Sequence, residues 1–296
     1  MKKGILYIIL SGLSFTVVNF FVKLLGNPDS TILGQGLQKY PAHELVLARS
    51  IVSFSISLFI IKQRKLPVFG VNKKWLLVRA IAGTIALTLF FYSIHYLPLA
   101  VASTVQYLAP IFTVLFAVAL LKERVQALQW FFIVLSFIGV AMIAGGKLFA
   151  PLVVGEEFSM FWYGMGVISA AFSGIAYVAI IKLKSTDAPI TIVMYFPMIA
   201  IPVMSFLCWF GFTFPRGIEW LYLLLIGIFT QIAQILLTRA LHIGNASTIT
   251  PFQYLGAIYA FVIGFFVFDE RLSMLINLGI VVTVSGVIIN ATLKKH

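Results

Sequence analysis

The amino-acid sequence predicts an all-α polytopic membrane protein whose ten transmembrane helices form two inverted five-helix repeats. Hydrophobic residues make up 61% of the chain and charged residues only 10%, whereas soluble proteins keep roughly a quarter of their residues charged. Apolar runs of about 20 residues, the length that crosses a bilayer, recur along the chain, and the second half repeats motifs of the first. The lipid bilayer is therefore one expected partner. The net charge of +12 is spread between the spans, so we expect no nucleic-acid partner.

The apolar runs number five in each half of the chain. In the first half they cover residues 4–25, 44–61, 75–96, 100–121 and 126–146. In the second half they cover residues 160–181, 190–211, 219–241, 247–268 and 274–293. We expect each run to be helical, because a backbone in hydrocarbon must satisfy its own hydrogen bonds.

An internal duplication relates the halves. The Gln-Tyr-Leu sequence at 106–108 recurs at 253–255, and the Glu-Arg pair at 123–124 recurs at 270–271, at one constant offset. The predicted repeats are residues 1–147 and 160–296, joined by a linker at 148–159. Because each repeat has an odd number of spans, the repeats must have opposite topology, as in many secondary transporters.

Lysine and arginine placement predicts the orientation. With a cytoplasmic N-terminus, fifteen of these residues lie inside and six outside, which agrees with the positive-inside rule. The inner group includes Arg79 and the outer group includes Lys23, Arg49 and Arg271. We therefore expect a multi-pass protein of the plasma (inner) membrane with both termini in the cytoplasm.

Polar residues inside the spans are the candidate functional residues, since such residues usually face protein or a cavity. Arg49 lies in the second span, where it could extend to the outer interface, pair with Glu44, or attract an anion at the mouth of a cavity. Asn19 lies in the first span, and Thr88 and Tyr92 share one face of the third. Asn and Thr at such depths also serve as interhelical or backbone hydrogen-bonding residues.

The duplicated Gln-Tyr pairs have two possible roles: they could line two faces of one central cavity, or join the repeats structurally. Pro110 predicts a bend in the fourth span, because proline removes a backbone donor. The eighth span carries a polar stripe, and the sixth has small residues suited to close packing. The candidate substrate-binding residues are Asn19, Arg49, Thr88, Tyr92, Gln106, Tyr107, Tyr177, Gln231, Gln234, Gln253 and Tyr254.

Several chemistries have no sequence signal. We find no glycine-rich phosphate loop, histidine-glutamate metal motif or serine elbow, and the single cysteine, Cys208, excludes a disulfide framework. The carboxylates fall in loops or at span ends. We therefore expect no enzyme activity, no cofactor and no metal. Glu123 and Glu270 each precede a helix, and we expect each to complement the dipole of that next helix.

Over the whole chain, the sequence resembles the drug/metabolite transporter superfamily, and its EamA-like members in particular. The matching residues are Glu44-Leu45-Val46-Leu47-Ala48-Arg49, Tyr107-Leu108-Ala109-Pro110, the corner Leu121-Lys122-Glu123-Arg124, and Gly139. The resemblance implies ten helices in two inverted repeats, with a cavity lined by the first four helices of each half. The second repeat departs from the pattern, with Ala257 at the position equivalent to Pro110.

These observations together predict a secondary transporter that exports small organic metabolites by alternating access, with a small molecule as its substrate. Uptake by the same fold, or a non-transport scaffold or lipid-handling role, are the alternatives. Because the candidate residues include no carboxylate, we expect a neutral, zwitterionic or aromatic-bearing solute and no obligatory proton, with His95 and His242 as the alternative proton carriers. The sequence is compatible with a monomer.

Overall fold

A computed structural model of the protein describes residues 2–121, 130–131, 134–135, 137–139, 142, 159–243 and 255–292. Helices dominate these residues. In chain order they are α1 Lys2–Gly26, α2 Ala42–Gln63, α3 Lys73–Tyr96, α4 Leu99–Gln106, α5 Ala109–Leu121, α6 Met160–Leu183, α7 Pro189–Cys208, α8 Glu219–Ile243, α9 Leu255–Val267 and α10 Met274–Thr292. The described residues between 130 and 142 are also helical.

Seven helices within the described residues are long and apolar enough to cross a membrane: Lys3–Gly26, Ala42–Gln63, Lys73–Tyr96, Leu99–Leu120, Met160–Leu183, Pro189–Cys208 and Glu219–Ile243. Each coincides with a run predicted from the sequence. The chain is therefore a polytopic, all-helical membrane protein in the part that the structure describes. The predicted runs 126–146 and 247–268 lie partly outside the described residues.

The fourth span is broken into α4 and α5. Tyr107 and Leu108 separate the two helices, and the N–H of Leu108 donates to the carbonyl of Val105 at 3.0 Å, the tighter spacing of a 3₁₀ turn. Pro110 lies in the first turn of α5, where its missing N–H costs no intrahelical hydrogen bond. The bend expected from Pro110 lies at this break.

The most extensive helix contacts join the two halves rather than neighbours in one half. α1 packs against α8, α3 against α6, and α2 against α7. The first helix of each half thus packs on the third helix of the other, and the second helices pack together. Gly227 on α8 permits the α2–α8 approach, because a Cβ there would lie 2.4 Å from Val52.

Two acidic residues fasten loops across the halves. The Glu219 carboxylate at the start of α8 accepts hydrogen bonds from the Gln38 N–H at 2.6 Å, the Tyr40 hydroxyl at 2.6 Å and the Arg216 N–H at 2.7 Å. Burial and the neighbouring Glu219 raise the pKa of Tyr40. At a different junction, Asp187 accepts from the N–H groups of Val71 and Asn72 at 2.6 and 3.2 Å.

Glu270 differs from its predicted role. Its carboxylate accepts from the Leu99 N–H at 2.7 Å and the Ala100 N–H at 3.4 Å, so it caps α4 of the first half and not α10, the next helix along the chain. The expectation of a helix-capping role was therefore right in kind and wrong in the helix that is capped. Glu123, its repeat equivalent, lies outside the described residues.

Candidate functional site

A cavity of about 130 Å³ lies between the two halves. Helices α1 to α8 all contribute to its walls. Its lining includes Ser11, Phe15, Asn19, Arg49, Arg79, Gly83, Phe90, Phe91, Ser103, Gln106, Tyr107, Pro110, Ser173, Tyr177, Phe196 and Gln234. Polar groups are thus presented by both halves at one place in the helical bundle.

Arg49 is one of the most deeply buried side chains of the protein, with 1% of its surface exposed. Its Nε and Nη1 atoms have no hydrogen-bond partner among the described residues. Its guanidinium carbon lies 5.7 Å from the ring centroid of Phe91 and 5.1 Å from that of Phe196, within cation–π range. Aromatic faces therefore support the charge, but no anion among the described residues neutralises it.

Neither structural role expected for Arg49, extension to the outer interface or pairing with Glu44, is found among the described contacts. A side chain that is 1% exposed does not extend to an interface, and the described contacts of Glu44 lead elsewhere. The Oε1 atom of Glu44 accepts from the Thr213 N–H at 3.0 Å. Arg49 instead lines the cavity, deep in the protein and not at the cavity mouth, and an anion-attracting role there stays a prediction.

Arg79 reaches the same cavity from α3. Only 3% of its surface is exposed; its Nη2 donates to the Gln234 side-chain oxygen at 3.1 Å, while its Nε has no partner among the described residues. Its guanidinium carbon lies 6.0 Å from the Phe196 centroid. Gly83, one turn along α3, makes room for it, because a Cβ at that position would lie 2.2 Å from Arg79 Nη1.

The side-chain amide of Gln106 and its hydrogen-bond partners form another part of the wall. The Gln106 Nε2 donates to the Ser173 hydroxyl at 2.8 Å, and the Ser169 hydroxyl donates to the Gln106 Oε1 at 3.0 Å. Gln106 therefore ties α4 to α6 while it lines the cavity, so both roles considered for the first Gln-Tyr pair are combined in it. The Ser103 hydroxyl, also on the lining, is buried without a described partner.

The charge of this lining is uniformly positive. It contains Arg49 and Arg79 and, among the described residues, no acidic one. Asp29, Glu44, Asp187, Glu219, Asp269 and Glu270 are the acidic residues that the structure describes, and all lie elsewhere. Residues 244–254, which the structure does not describe, contain no Asp or Glu in the sequence.

The structure groups most of the candidate residues and separates three others. Asn19, Arg49, Gln106, Tyr107, Tyr177 and Gln234 line the cavity. Thr88, Tyr92 and Gln231 are not among its lining residues, and Gln253 and Tyr254 lie outside the described residues. The described lining therefore brings six of the candidates together.

The three separated residues have structural partners. The Thr88 hydroxyl donates to the Thr84 carbonyl at 2.8 Å, and the Tyr92 ring stacks on Trp162 with centroids 5.4 Å apart. The Gln231 Nε2 donates to the Ser57 hydroxyl at 2.8 Å and its Oε1 accepts from the Ser53 hydroxyl at 2.5 Å. Gln231 thus joins α8 to α2.

Arg79 is the charged residue of the cavity lining that was not among the candidates selected from the sequence. Its nearness to Lys73 and Lys74 grouped it with the charges that mark the cytoplasmic end of the third span. Two signals set it apart: it lies a full turn and a half into α3, and Gly83 follows it at i+4. A glycine one turn away leaves the space that a folded-in guanidinium needs.

Comparisons with known proteins agree with this architecture. The sequence profile of the EamA-like transporter family matches residues 2–145 and 160–292. The chain is 29% identical over 264 residues to the pseudopaline exporter CntI of Pseudomonas aeruginosa, covering 88% of this chain and 85% of that protein. It is 26% identical to human solute carrier family 35 member G1, covering 90% and 73%.

Two further similarities cover most of the chain. It is 25% identical to the riboflavin transporter of Vibrio cholerae, covering 85% of this chain and 80% of that protein. A solved crystal structure superimposes with a TM-score of 0.68 at 16% identity, covering 99% of this chain and 97% of the other. That structure supports the fold alone.

Proposed function

Because the chain belongs to the EamA-like transporter family, we propose that it is a secondary transporter that moves small organic metabolites across the plasma membrane by alternating access. The relatives named above are transporters, and none of them is named as an enzyme. The observation that carries the proposal is the central cavity, whose walls come from both halves and whose lining is polar. A solute bound there would be exposed to one side or the other as the halves rock.

The inverted arrangement of two five-helix repeats is part of this proposal. The reciprocal packing of α1 on α8 and of α3 on α6 is the pattern that a two-fold pseudosymmetry axis between the halves would produce. The family profile matches the chain in two segments, 2–145 and 160–292, which supports a repeat in each. Ten spans and cytoplasmic termini follow from the sequence pattern and the lysine and arginine bias.

A scaffold role is less well supported. Burying two guanidinium groups without a described anion costs folding free energy, and a scaffold would gain nothing from that cost. A carrier gains a binding site. The cavity is lined within one chain, so the proposed transport needs no second subunit.

Export is the proposed direction, and uptake is the alternative that the experiment resolves. Support comes from the relative named as an exporter. A solute that carries carboxylate groups fits the cavity, because these groups can meet Arg49 and Arg79 on its wall, whereas a cation would be repelled.

Counterflow in proteoliposomes tests the proposal. Purified protein is reconstituted, vesicles are loaded with one unlabelled metabolite at a time, and entry of the labelled form is followed. Saturable, trans-stimulated flux that protein-free vesicles lack is expected for at least one small organic solute. Binding without flux for every solute would contradict transport and favour a non-transport role.

A further inference from the structure

We propose that the substrate is an organic anion with at least two carboxylate groups, held between Arg49 and Arg79; this rests on the proposed transport function and names its substrate class. Both arginines line the cavity. Both side chains are nearly inaccessible from outside the protein, at 1% and 3% exposure. The site therefore presents two positive charges to whatever enters.

Neither arginine has a counter-charge among the described residues. Arg49 makes no described ion pair, and Arg79 makes one described hydrogen bond, to the neutral amide of Gln234. Taking a cation out of water is costly unless an anion or a hydrogen-bonding network compensates. The aromatic contacts with Phe91 and Phe196 offset part of that cost but supply no counter-charge. A bound anion would supply the remainder.

The chemistry of arginine narrows the anion. A guanidinium offers a planar fork of donors that matches a carboxylate or phosphate with two parallel hydrogen bonds. Among the described residues, Nε and Nη1 of Arg49 and Nε of Arg79 have no acceptor, so each of these N–H groups lacks one hydrogen bond that a carboxylate oxygen could supply. The Ser103 hydroxyl, buried on the same lining without a described partner, offers one further neutral donor.

The spacing of the arginines favours two anionic groups on one molecule. Both guanidinium carbons lie near one ring, at 5.1 and 6.0 Å from the Phe196 centroid, so they are no more than about 11 Å apart. A four- or five-carbon dicarboxylate can bridge that distance with one carboxylate at each guanidinium. A single carboxylate would leave one arginine uncompensated. A phosphate ester also matches one fork, so it is a competing ligand in the test.

Helix geometry shows how both charges reach one place. Arg49 follows the start of α2 at Ala42 by seven residues, and Arg79 follows the start of α3 at Lys73 by six. At 1.5 Å per residue, each lies about 10 Å inside its own helix start. Because consecutive spans run in opposite directions, the two long side chains approach the middle of the bundle from opposite faces.

Binding to the purified protein is the first experiment. Thermal unfolding is followed by labelling of Cys208, the only cysteine, which is buried in the folded protein. The ligands form a matched four-carbon series: succinate, butyrate, the neutral succinamide and the dication putrescine, with glutarate, tricarballylate and inorganic phosphate added. Succinate or a longer polycarboxylate should raise the unfolding midpoint saturably, and succinamide and putrescine should not. Butyrate should bind at least about tenfold more weakly, since it engages one arginine.

Variants identify the site. Arg49→Gln and Arg79→Gln should each weaken polycarboxylate binding by at least about tenfold. The matched control is Arg64→Gln, at an exposed arginine just beyond α2, and it should leave binding unchanged. If either cavity variant fails to fold, the ligand series on the unaltered protein still decides the matter, because it compares charges on one carbon skeleton.

Several results would overturn the substrate class. The first is equal stabilisation by succinamide and succinate, and the second is stabilisation by phosphate but by no carboxylate. The third is absence of stabilisation by every carboxylate at about 10 mM, roughly tenfold above the upper end of common KM values. The fourth is full affinity in the Arg49→Gln, Arg79→Gln double variant. Flux is measured separately in proteoliposomes. If neutral solutes are transported equally well by the unaltered protein and by the double variant, the transport function is supported and the proposed anionic substrate class is contradicted. Carboxylate binding without flux would support the proposed binding site and contradict the proposed transport function.

Discussion

The ammonium of Lys23 and the carboxylate of Glu270 lie 3.6 Å apart with only 7% and 10% of their side chains exposed. Lys23 also donates to the Leu97 carbonyl at 2.6 Å, and Glu270 caps α4 through the Leu99 N–H at 2.7 Å. The pair therefore joins the end of α1, the α3–α4 corner and the segment after α9. It closes the bundle at the face that the charge bias predicts to be outside.

The first prediction concerns the protonation of Glu270. Burial raises the pKa of this carboxyl from its ordinary value of 4.5, and Lys23 opposes that effect. The folded protein then keeps the proton to a higher pH than the unfolded chain, so stability falls as pH rises from 4.5 through the raised pKa and is constant above it. The stability difference between a Glu270→Gln variant, which cannot ionise, and the unaltered protein should therefore shift in favour of the variant as pH rises across that window, on top of the constant cost of leaving Lys23 without its carboxylate. The shift should be about 1.4 kcal/mol for each pH unit that separates the folded-state pKa from the unfolded-state pKa.

Tryptophan fluorescence during thermal unfolding at a series of pH values measures this difference. Asp269→Asn is the matched control, because it removes a neighbouring carboxyl that is 82% exposed and so reports the effect of losing a nearby negative charge without disturbing the buried Lys23–Glu270 pair. A Glu270→Gln difference that stays constant from about pH 4 to about pH 8 would contradict the linkage.

The second prediction separates two glutamines on α8. Gln231→Met removes the bonds to Ser53 and Ser57 and leaves two buried hydroxyls unpaired, so it should lower stability by about 1–3 kcal/mol and leave substrate affinity unchanged. Gln234→Met frees Arg79 on the cavity wall and should change affinity. Unfolding midpoints and ligand titrations on both variants check this. A larger affinity change in Gln231→Met than in Gln234→Met would contradict the placement of Gln234, and not Gln231, at the binding site.

The third prediction concerns the junction at Asp187. Asp187→Ala removes the acceptor for the Val71 and Asn72 N–H groups and should cost about 1–3 kcal/mol of stability. Gly70→Ala should also destabilise, because Gly70 has φ +60° and a Cβ there would lie 2.5 Å from the Asp187 Oδ1. Asp29→Ala, at an exposed carboxylate, is the control. Unfolding midpoints indistinguishable among the three variants would show that the junction contributes nothing.

The membrane spans could be read from the sequence because hydrocarbon thickness fixes both their length and their composition. Spans such as Ala42–Gln63 and Pro189–Cys208 match the predicted runs within a few residues. Arg49 could be selected because an arginine in an apolar run is expensive wherever it points. Its aromatic partners could not be predicted from the sequence, because Phe91 and Phe196 lie on other helices.

Side-chain direction explains the residues that sequence reasoning misplaced. Gln231 and Gln234 lie three residues apart on one face of α8, yet one meets α2 and the other meets Arg79. The difference depends on which helix lies opposite each residue. Likewise, the helix that Glu270 caps starts 171 residues earlier in the chain, and no local pattern reports such a contact.

The last prediction concerns the driving force, and it follows from the proposed anion and the fixed arginines. Arg49 and Arg79 belong to the helices that form the cavity, so alternating access would move the substrate charge but not theirs across the full membrane field. Each charge that crosses gains about 2.3 kcal/mol per 100 mV. For a divalent anion an inside-negative potential of about 100 mV therefore favours export by about 4.6 kcal/mol, a concentration ratio of about two thousandfold.

Liposomes loaded with a labelled dicarboxylate test this with a valinomycin-clamped potassium diffusion potential. An inside-negative potential should accelerate efflux and a reversed potential should drive uptake, while a pH gradient imposed at zero potential should do neither, because the described cavity lining holds no acidic residue. Monovalent butyrate, if carried, should respond half as strongly on a free-energy scale. Substrate accumulation driven by the pH gradient alone, and lost in a His95→Ala, His242→Ala double variant, would instead make the protein a proton-coupled carrier.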